Sequence, residues 1–466
     1  MKFNFTSMAA LLFMMLPLFS IAQSNKTNRT VFGQTVQSVN PKNGLIRCLT
    51  TEYEQALLQK NPNRANAEAF ENWLAPKTAA VKQGFQNNKS AAAVTTIPVV
   101  VHVIHNGDAV GTDENISDAR VLSQITVLNQ DFRKMSGTPG YNTNPVGADM
   151  EIEFVMAKRK PDGTATNGID RVQMSRASWA SESSVENQLK ATTSWDPTQY
   201  FNIWVCAFSD NENAEMYGTL GYAQFPSSSG LGGLEINEGE ANTDGVIVDY
   251  RCFGTSTIAP STNYFEDYDK GRTLTHEIAH CFGLRHIWGD NSSCTVNATD
   301  SGQDFCPDTP AAREEHYDCL RTYNTCTAAA GNDMVENYMD YTNDVCMNIF
   351  TLDQKGRMMA VLQNSPRRAT LTTSTVGQTL GTASLDKLST IHLYPNPASA
   401  VVNINATSSN LPDAYAVYNS IGQLIASAKV TAVSDLSINT SAYNNGVYFI
   451  KLTKDSAVKT LQFVKN

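Results

Sequence analysis

The chain has 466 residues, 41% of them apolar and 17% charged, with a formal net charge of −10. That apolar content excludes a disordered chain, and the length calls for about two to four domains at roughly 100–200 residues each. The negative charge argues against nucleic acid or an anionic membrane surface as the partner, and beyond the N-terminus no apolar run suffices for a transmembrane anchor.

Met1 and Lys2 give a short positive start, AALLFMMLPLF (9–19) is an apolar run, and Ser20-Ile21-Ala22 places small residues before Gln23. This pattern predicts a signal peptide over 1–22 and export to a compartment where disulfides form. Residues 23–95 are polar, with one predicted helix near 52–59. NNKSAAAVTT (87–96) reads as an exposed linker.

The texture changes at Ile97. IPVVVHVIH (97–105) is β-branched and predicts a strand. Ser117 can cap a helix whose apolar positions Val121, Leu122, Ile125, Leu128 and Phe132 keep helical spacing. Further strands are predicted at 151–157, 200–208, 219–225 and 245–250. Together they make an α+β domain over 96–366. Residues 367–390, rich in Ser, Thr and Gly, read as a linker. Residues 391–466 alternate short strands with turns such as Asn444-Asn445-Gly446, the pattern of a small all-β sandwich.

Nine cysteines are present. Five fall between 294 and 346, which predicts a stapled region, and the odd count leaves at least one thiol unpaired. Cys48 stands alone near the N-terminus.

The chemistry concentrates at 274–286. His276 and His280 are four residues apart, so both imidazoles leave one helix face and can share a metal. Leu274, Ile278, Cys281 and Phe282 form the opposite, inward face. Glu277 can reach a metal-bound water. Gly283 suits the left-handed residue that ends a helix, after which the chain returns His286 as a third ligand. Three histidines leave a fourth position open, the mark of a catalytic zinc site.

The segment from His276 to His286 resembles the zinc signature of the metzincin clan. With Ile287-Trp288-Gly289-Asp290 it is similar to the pappalysin family of metalloproteases. The resemblance covers about 97–363. It implies a mixed twisted sheet with a backing helix, an active-site helix and an irregular stapled subdomain. Asn337-Tyr338-Met339-Asp340-Tyr341 matches the expected Met-turn, which implies that Met339 underlies the ligands and that Tyr341 stabilises an oxyanion. LGYAQFP (220–226) resembles the strand bordering the substrate cleft. The family pattern also implies the disulfides Cys294–Cys326 and Cys319–Cys346, leaving Cys206, Cys252, Cys281 and Cys306 unassigned. It implies calcium at Asp300, Asp304, Asp308 and Thr309, with a solvated acidic loop as the alternative.

Arg47-Cys48-Leu49-Thr50 resembles the cysteine switch of such proteases, which implies a pro-segment over 23–95 whose Cys48 takes the open zinc position. Lys77, Lys82 and Lys89 are the basic residues near its end. Relatives cleave next to Arg through an acidic residue after the Met-turn, and Asp344 is the candidate here. At the C-terminus Tyr394-Pro395-Asn396-Pro397, the turn at 418–422, Gly446-Val447-Tyr448 and Lys465 resemble a type A sorting domain. That resemblance implies delivery through the periplasm to type IX secretion machinery and a secreted or cell-surface protein. The function expected is a zinc endopeptidase made as a zymogen and acting on proteins or peptides. The alternative is a non-catalytic binding protein or adhesin on the same scaffold.

Overall fold

The strand predicted at Ile97 is the spine of the larger unit. In the computed structural model it runs Thr95–His105 (β1), and eight of its side chains are buried. The structure describes residues 29–62, 64–87, 94–226, 240–378, 388, 390–407, 410–454 and 457–466; the leader expected at 1–22, Lys89, and residues 379–387 and 389 of the linker predicted at 367–390 lie outside them. By internal contacts the chain divides into two units, up to Gly377 and from Gln378.

In the first unit β1 lies parallel to Ile152–Met156 (β2), Ile169–Gln173 (β3) and Phe201–Cys206 (β4). Val246–Asp249 (β6) extends the sheet parallel to β4, and Gly221–Ala223 (β5) closes it antiparallel. A parallel sheet needs both faces covered. One face takes the helix Asp118–Phe132, whose N-cap Ser117 accepts from the Arg120 amide as the sequence predicts. It also takes the helix Arg272–Cys281, which carries the histidine motif. The two helices are tied at a buried carboxylate: Asp131 accepts from Arg272 Nη2 at 3.1 Å and from the Thr275 hydroxyl at 2.8 Å.

The other face packs Ile104, Trp204, Tyr222 and Ile247 with Val185, Leu189 and, from the N-terminal segment, Tyr53 and Leu57. That segment holds two helices. Thr50–Lys60 contains the short helix read from sequence. Ala67–Asn87 was not expected, because Pro76 and the polar composition mask it. Its apolar side chains Phe70, Trp73 and Leu74 are nonetheless spaced for one face. They pack with Phe225, Ala360 and Val361, and each such burial contributes about 1.5–3 kcal/mol.

The predicted linker at 367–390 is corrected at its start. Pro366–Leu371 is a helix, and Arg368 is buried among Ser and Thr neighbours that gave no apolar signal. Its guanidinium pairs with Asp244 at 2.7 Å and its Nε donates to the Cys281 carbonyl at 2.8 Å, so this helix braces the end of the motif helix.

The region 294–346 has little regular structure and is held by covalent and ionic links. The disulfides are Cys294–Cys326 and Cys319–Cys346; Cys206, Cys252, Cys281 and Cys306 are buried free thiols. His316 lies between Asp340, at 2.8 Å from Nδ1, and Asp333, at 3.1 Å from Nε2.

The second unit is a β-sandwich. One sheet orders His392–Tyr394, Val401–Asn405 and Ser437–Asn439. The other orders Leu424–Lys429, Ala414–Asn419, Gly446–Lys454 and Ala457–Lys465. Val402, Ile404, Val417, Ile438, Ile450, Leu452 and Phe463 fill the space between them.

The two carboxylates around His316 raise its pKa to about 10 against the loss from burial. A raised folded-state pKa gives stability that is fully present below about pH 6.5 and is lost as pH rises through about 10. His316→Gln should therefore lower the unfolding midpoint most near pH 6, and the gap to wild type should close as pH approaches 10. Denaturant unfolding across pH checks this, and a pH-independent gap would contradict it.

Candidate metal and active site

The motif helix ends where its sequence says it must. Gly283 takes φ +87°, and a Cβ there would lie 2.7 Å from Val361 Cγ2. The Gly283 and Leu284 amides donate back to the His280 and Ala279 carbonyls. The chain reverses and brings His286 to the two helical histidines. The Nε2 atoms of His276, His280 and His286 lie 3.1, 3.1 and 3.3 Å apart.

Each Nδ1 is committed elsewhere. His276 Nδ1 meets the Tyr338 carbonyl at 2.7 Å, His280 Nδ1 the Leu284 carbonyl at 2.9 Å, and His286 Nδ1 the Asp290 carboxylate at 2.6 Å. With Nδ1 donating, each Nε2 turns a lone pair toward the same point. Burial holds the His276 and His280 pKa values well below the usual range, whereas Asp290 raises that of His286 despite burial. Three facing lone pairs are a donor set for a cation, so these residues fit a metal. Cys48 Sγ joins them, all four donor atoms lying within 4.8 Å of one another, and this is the metal-ligand cluster found among the described residues.

Glu277 lies beside that point. Its Oε2 accepts from the Thr50 hydroxyl at 2.8 Å and from Cys48 Sγ at 3.4 Å, while Oε1 is buried without a partner. Burial pushes its carboxyl up to about 7. The edge strand β5 passes close by: a side chain at Gly221 would meet Glu277 Cγ at 3.3 Å and the Ile247 carbonyl at 2.9 Å. The helix has no solvent side, since His276, Glu277 and His280 are as buried as Leu274, Ile278 and Cys281. The N-terminal segment is the cause. Ile46 and Leu49 hydrogen-bond along the edge at Gly218, Leu220 and Gly221, and Thr50 accepts from the Ala223 amide.

The Met-turn segment lies beneath. Tyr338 supplies the carbonyl for His276, and Met339 is fully buried in the main core. The Tyr341 ring meets His286 edge-on at 4.8 Å. Trp288 and Asp290 were quoted in the motif without a role. Trp288 stacks on His286 at 4.5 Å, and Asp290, four residues after His286, orients it. That spacing was the available signal for Asp290.

Arg47 was also overlooked. Its side chain is fully buried: Nη2 lies 3.1 Å from Asp344 Oδ1, Nη1 donates to the Thr273 hydroxyl at 2.6 Å, and the guanidinium lies 4.8 Å from the Tyr268 ring centre. The other Asp344 oxygen accepts from the Lys270 and Arg272 amides at the start of the motif helix. The acidic loop behaves differently. Asp304 is taken by the Cys306 amide and the Thr309 hydroxyl, Asp300 by the Phe305 amide, and Asp308 by the Asp353 amide. These carboxylates do not converge on one point, so calcium gains no support from their geometry.

Comparisons with known proteins agree with this geometry. Residues 184–363 match the family described as pregnancy-associated plasma protein-A, and residues 392–466 match the secretion system C-terminal sorting domain. An extracellular metalloprotease of Arthroderma otae is 29% identical over 280 residues, 60% of this chain and 82% of the relative. One from Arthroderma benhamiae is 28% identical over 300 residues, 64% of this chain and 86% of the relative. Mature mirolysin of Tannerella forsythia, solved with a cleaved peptide, is 36% identical over 61% of this chain and 97% of its own, with a TM-score of 0.49. Among the described residues no helix is long and apolar enough to cross a membrane, and the sorting domain marks the protein as secreted or cell-surface. With a family model matched across its histidine motif and extracellular metalloproteases matched over more than four-fifths of their own length, the chain belongs to the pappalysin family of metalloendopeptidases and ends in a secretion sorting domain.

Proposed function

We propose that the protein is a zinc endopeptidase made as a zymogen, in which residues 23–95 cover the active site until they are cut away and 391–466 address the chain to type IX secretion machinery. The observation that carries this is the convergence of three imidazole nitrogens, with Cys48 beside them and Glu277 adjacent. His276, His280 and His286 would hold zinc, and Cys48 would hold its fourth position in the latent form. When bound, zinc supplies a Lewis acid that acidifies water and polarises a peptide carbonyl.

The protein groups do the rest. Glu277 accepts the proton of the attacking water and returns it to the leaving amine. Its partnerless Oε1 and its position next to Cys48 support that role. The Tyr341 phenol, kept protonated by burial, donates toward the carbonyl oxygen. Asp290 and Trp288 keep His286 in its tautomer and plane.

The latent form also indicates the substrate. Arg47, one residue before the switch cysteine, fills the pocket that ends at Asp344. An arginine side chain there has the acidic partner and aromatic face that suit a guanidinium. We infer that Asp344 selects arginine beside the scissile bond and that the pro-segment inhibits by occupying that same pocket.

Three outcomes test this reading. Glu277→Ala should keep one equivalent of zinc and lower turnover by about 10²–10⁴-fold; near-normal hydrolysis would remove the residue from its role. Cys48→Ala should let the uncut full-length chain hydrolyse peptides that the uncut wild type leaves intact. Asp344→Asn should lower kcat/KM for cuts beside Arg by about tenfold or more, since a charged hydrogen bond becomes a neutral one. Peptide-library cleavage read by mass spectrometry measures all three.

A further inference from the structure

A second acidic contact of the N-terminal segment lies at the other end of the motif helix. Glu71 is buried between two arginines of the protease. Arg357 grips it with both terminal nitrogens, at 2.5 Å each, and Arg285 Nε lies 2.9 Å from the same carboxylate. The guanidiniums keep their places through contacts outside the segment. Arg357 Nε donates to the Gly283 carbonyl at 2.5 Å, and its guanidinium lies 5.5 Å from the Phe305 ring centre. Arg285 lies 5.1 Å from Phe225 and 5.9 Å from Phe305. The nearby acid Asp304 is taken by the Cys306 amide and the Thr309 hydroxyl.

When Glu71 leaves, the buried Arg357 and the partly exposed Arg285 remain side by side without that anion, two like charges that favour a carboxylate able to enter. A cavity of about 210 Å³ between the segment and the protease touches both His280 and Arg285, with Phe225 and Leu284 on the protease side and Thr50 and Phe70 on the segment side. Asp344 meets the first residue of the ten-residue motif helix, and Arg285 follows its last. The two pockets therefore lie on opposite sides of the histidines.

We propose that Arg285 and Arg357 form a subsite for an acidic side chain of the substrate, across the scissile bond from the residue held at Asp344. This rests on the proteolytic, zymogen reading above. On it, Arg47 and Glu71 of the pro-segment occupy pockets of opposite charge, and a favoured substrate carries a basic residue on one side of the cut and an acidic one on the other.

The test uses the full-length chain, zinc-loaded and processed, on peptides with a single arginine. Positions across the cut from that arginine are varied one at a time through Glu, Gln and Lys. Wild type should prefer Glu over Gln by about tenfold in kcat/KM at one position. Arg285→Gln should bring that ratio to about one, and Arg285→Glu should turn the preference toward Lys. A loss of folding alone would slow all peptides together and leave the ratios unchanged. A wild-type ratio near one at every position, or a preference that survives in both variants, overturns the subsite while leaving the protease reading intact. Failure to cut any peptide overturns the protease reading and the subsite with it.

Discussion

Three imidazole lone pairs held within 3.3 Å of one another repel unless a cation lies between them. The rest of the catalytic unit serves to hold that arrangement. Asp131 fixes the motif helix through Arg272 and Thr275, and Arg368 and Arg357 brace its far end through the Cys281 and Gly283 carbonyls. Gly283 turns the chain without a Cβ where Val361 leaves no space for one. Each ring is then oriented from behind by a carbonyl or carboxylate, and such outer contacts decide ligand geometry as much as the ligands do.

The N-terminal segment matches this surface in charge as well as shape. Arg47 meets Asp344 at one end of the helix, and Glu71 meets Arg285 and Arg357 at the other. Between them the backbone at Ile46 and Leu49 adds to the sheet edge. A buried charge without a partner costs several kcal/mol, so each end of the cleft has a strong electrostatic reason to be occupied. The same two charge pairs give the segment its register: a shift of one residue would take Arg47 away from Asp344.

Regular patterns were the most legible in the sequence. The β-branched run of β1, the Ser117-capped helix and the alternating strands of the sandwich all follow from local periodicity, and the structure contains them. The helix Ala67–Asn87 escaped because Pro76 and its polar residues interrupt the pattern, although Phe70, Trp73 and Leu74 carry its packing. The helix at Pro366–Leu371 escaped for a related reason. Its buried residue is an arginine, and an ion pair with Asp244, 124 residues away in sequence, leaves no periodic trace.

By itself the sequence determined which histidines could share a metal. Histidines four residues apart on one helix, a glutamate between them and a glycine that reverses the chain are local facts, governed by helix geometry and φ. It likewise determined that a lone cysteine precedes the protease domain. Only the tertiary structure decided what surrounds the site. Arg47 faces Asp344 across 297 positions and Glu71 faces Arg357 across 286. Such pairings are chosen by the desolvation of charges brought together on folding, which no local spacing encodes.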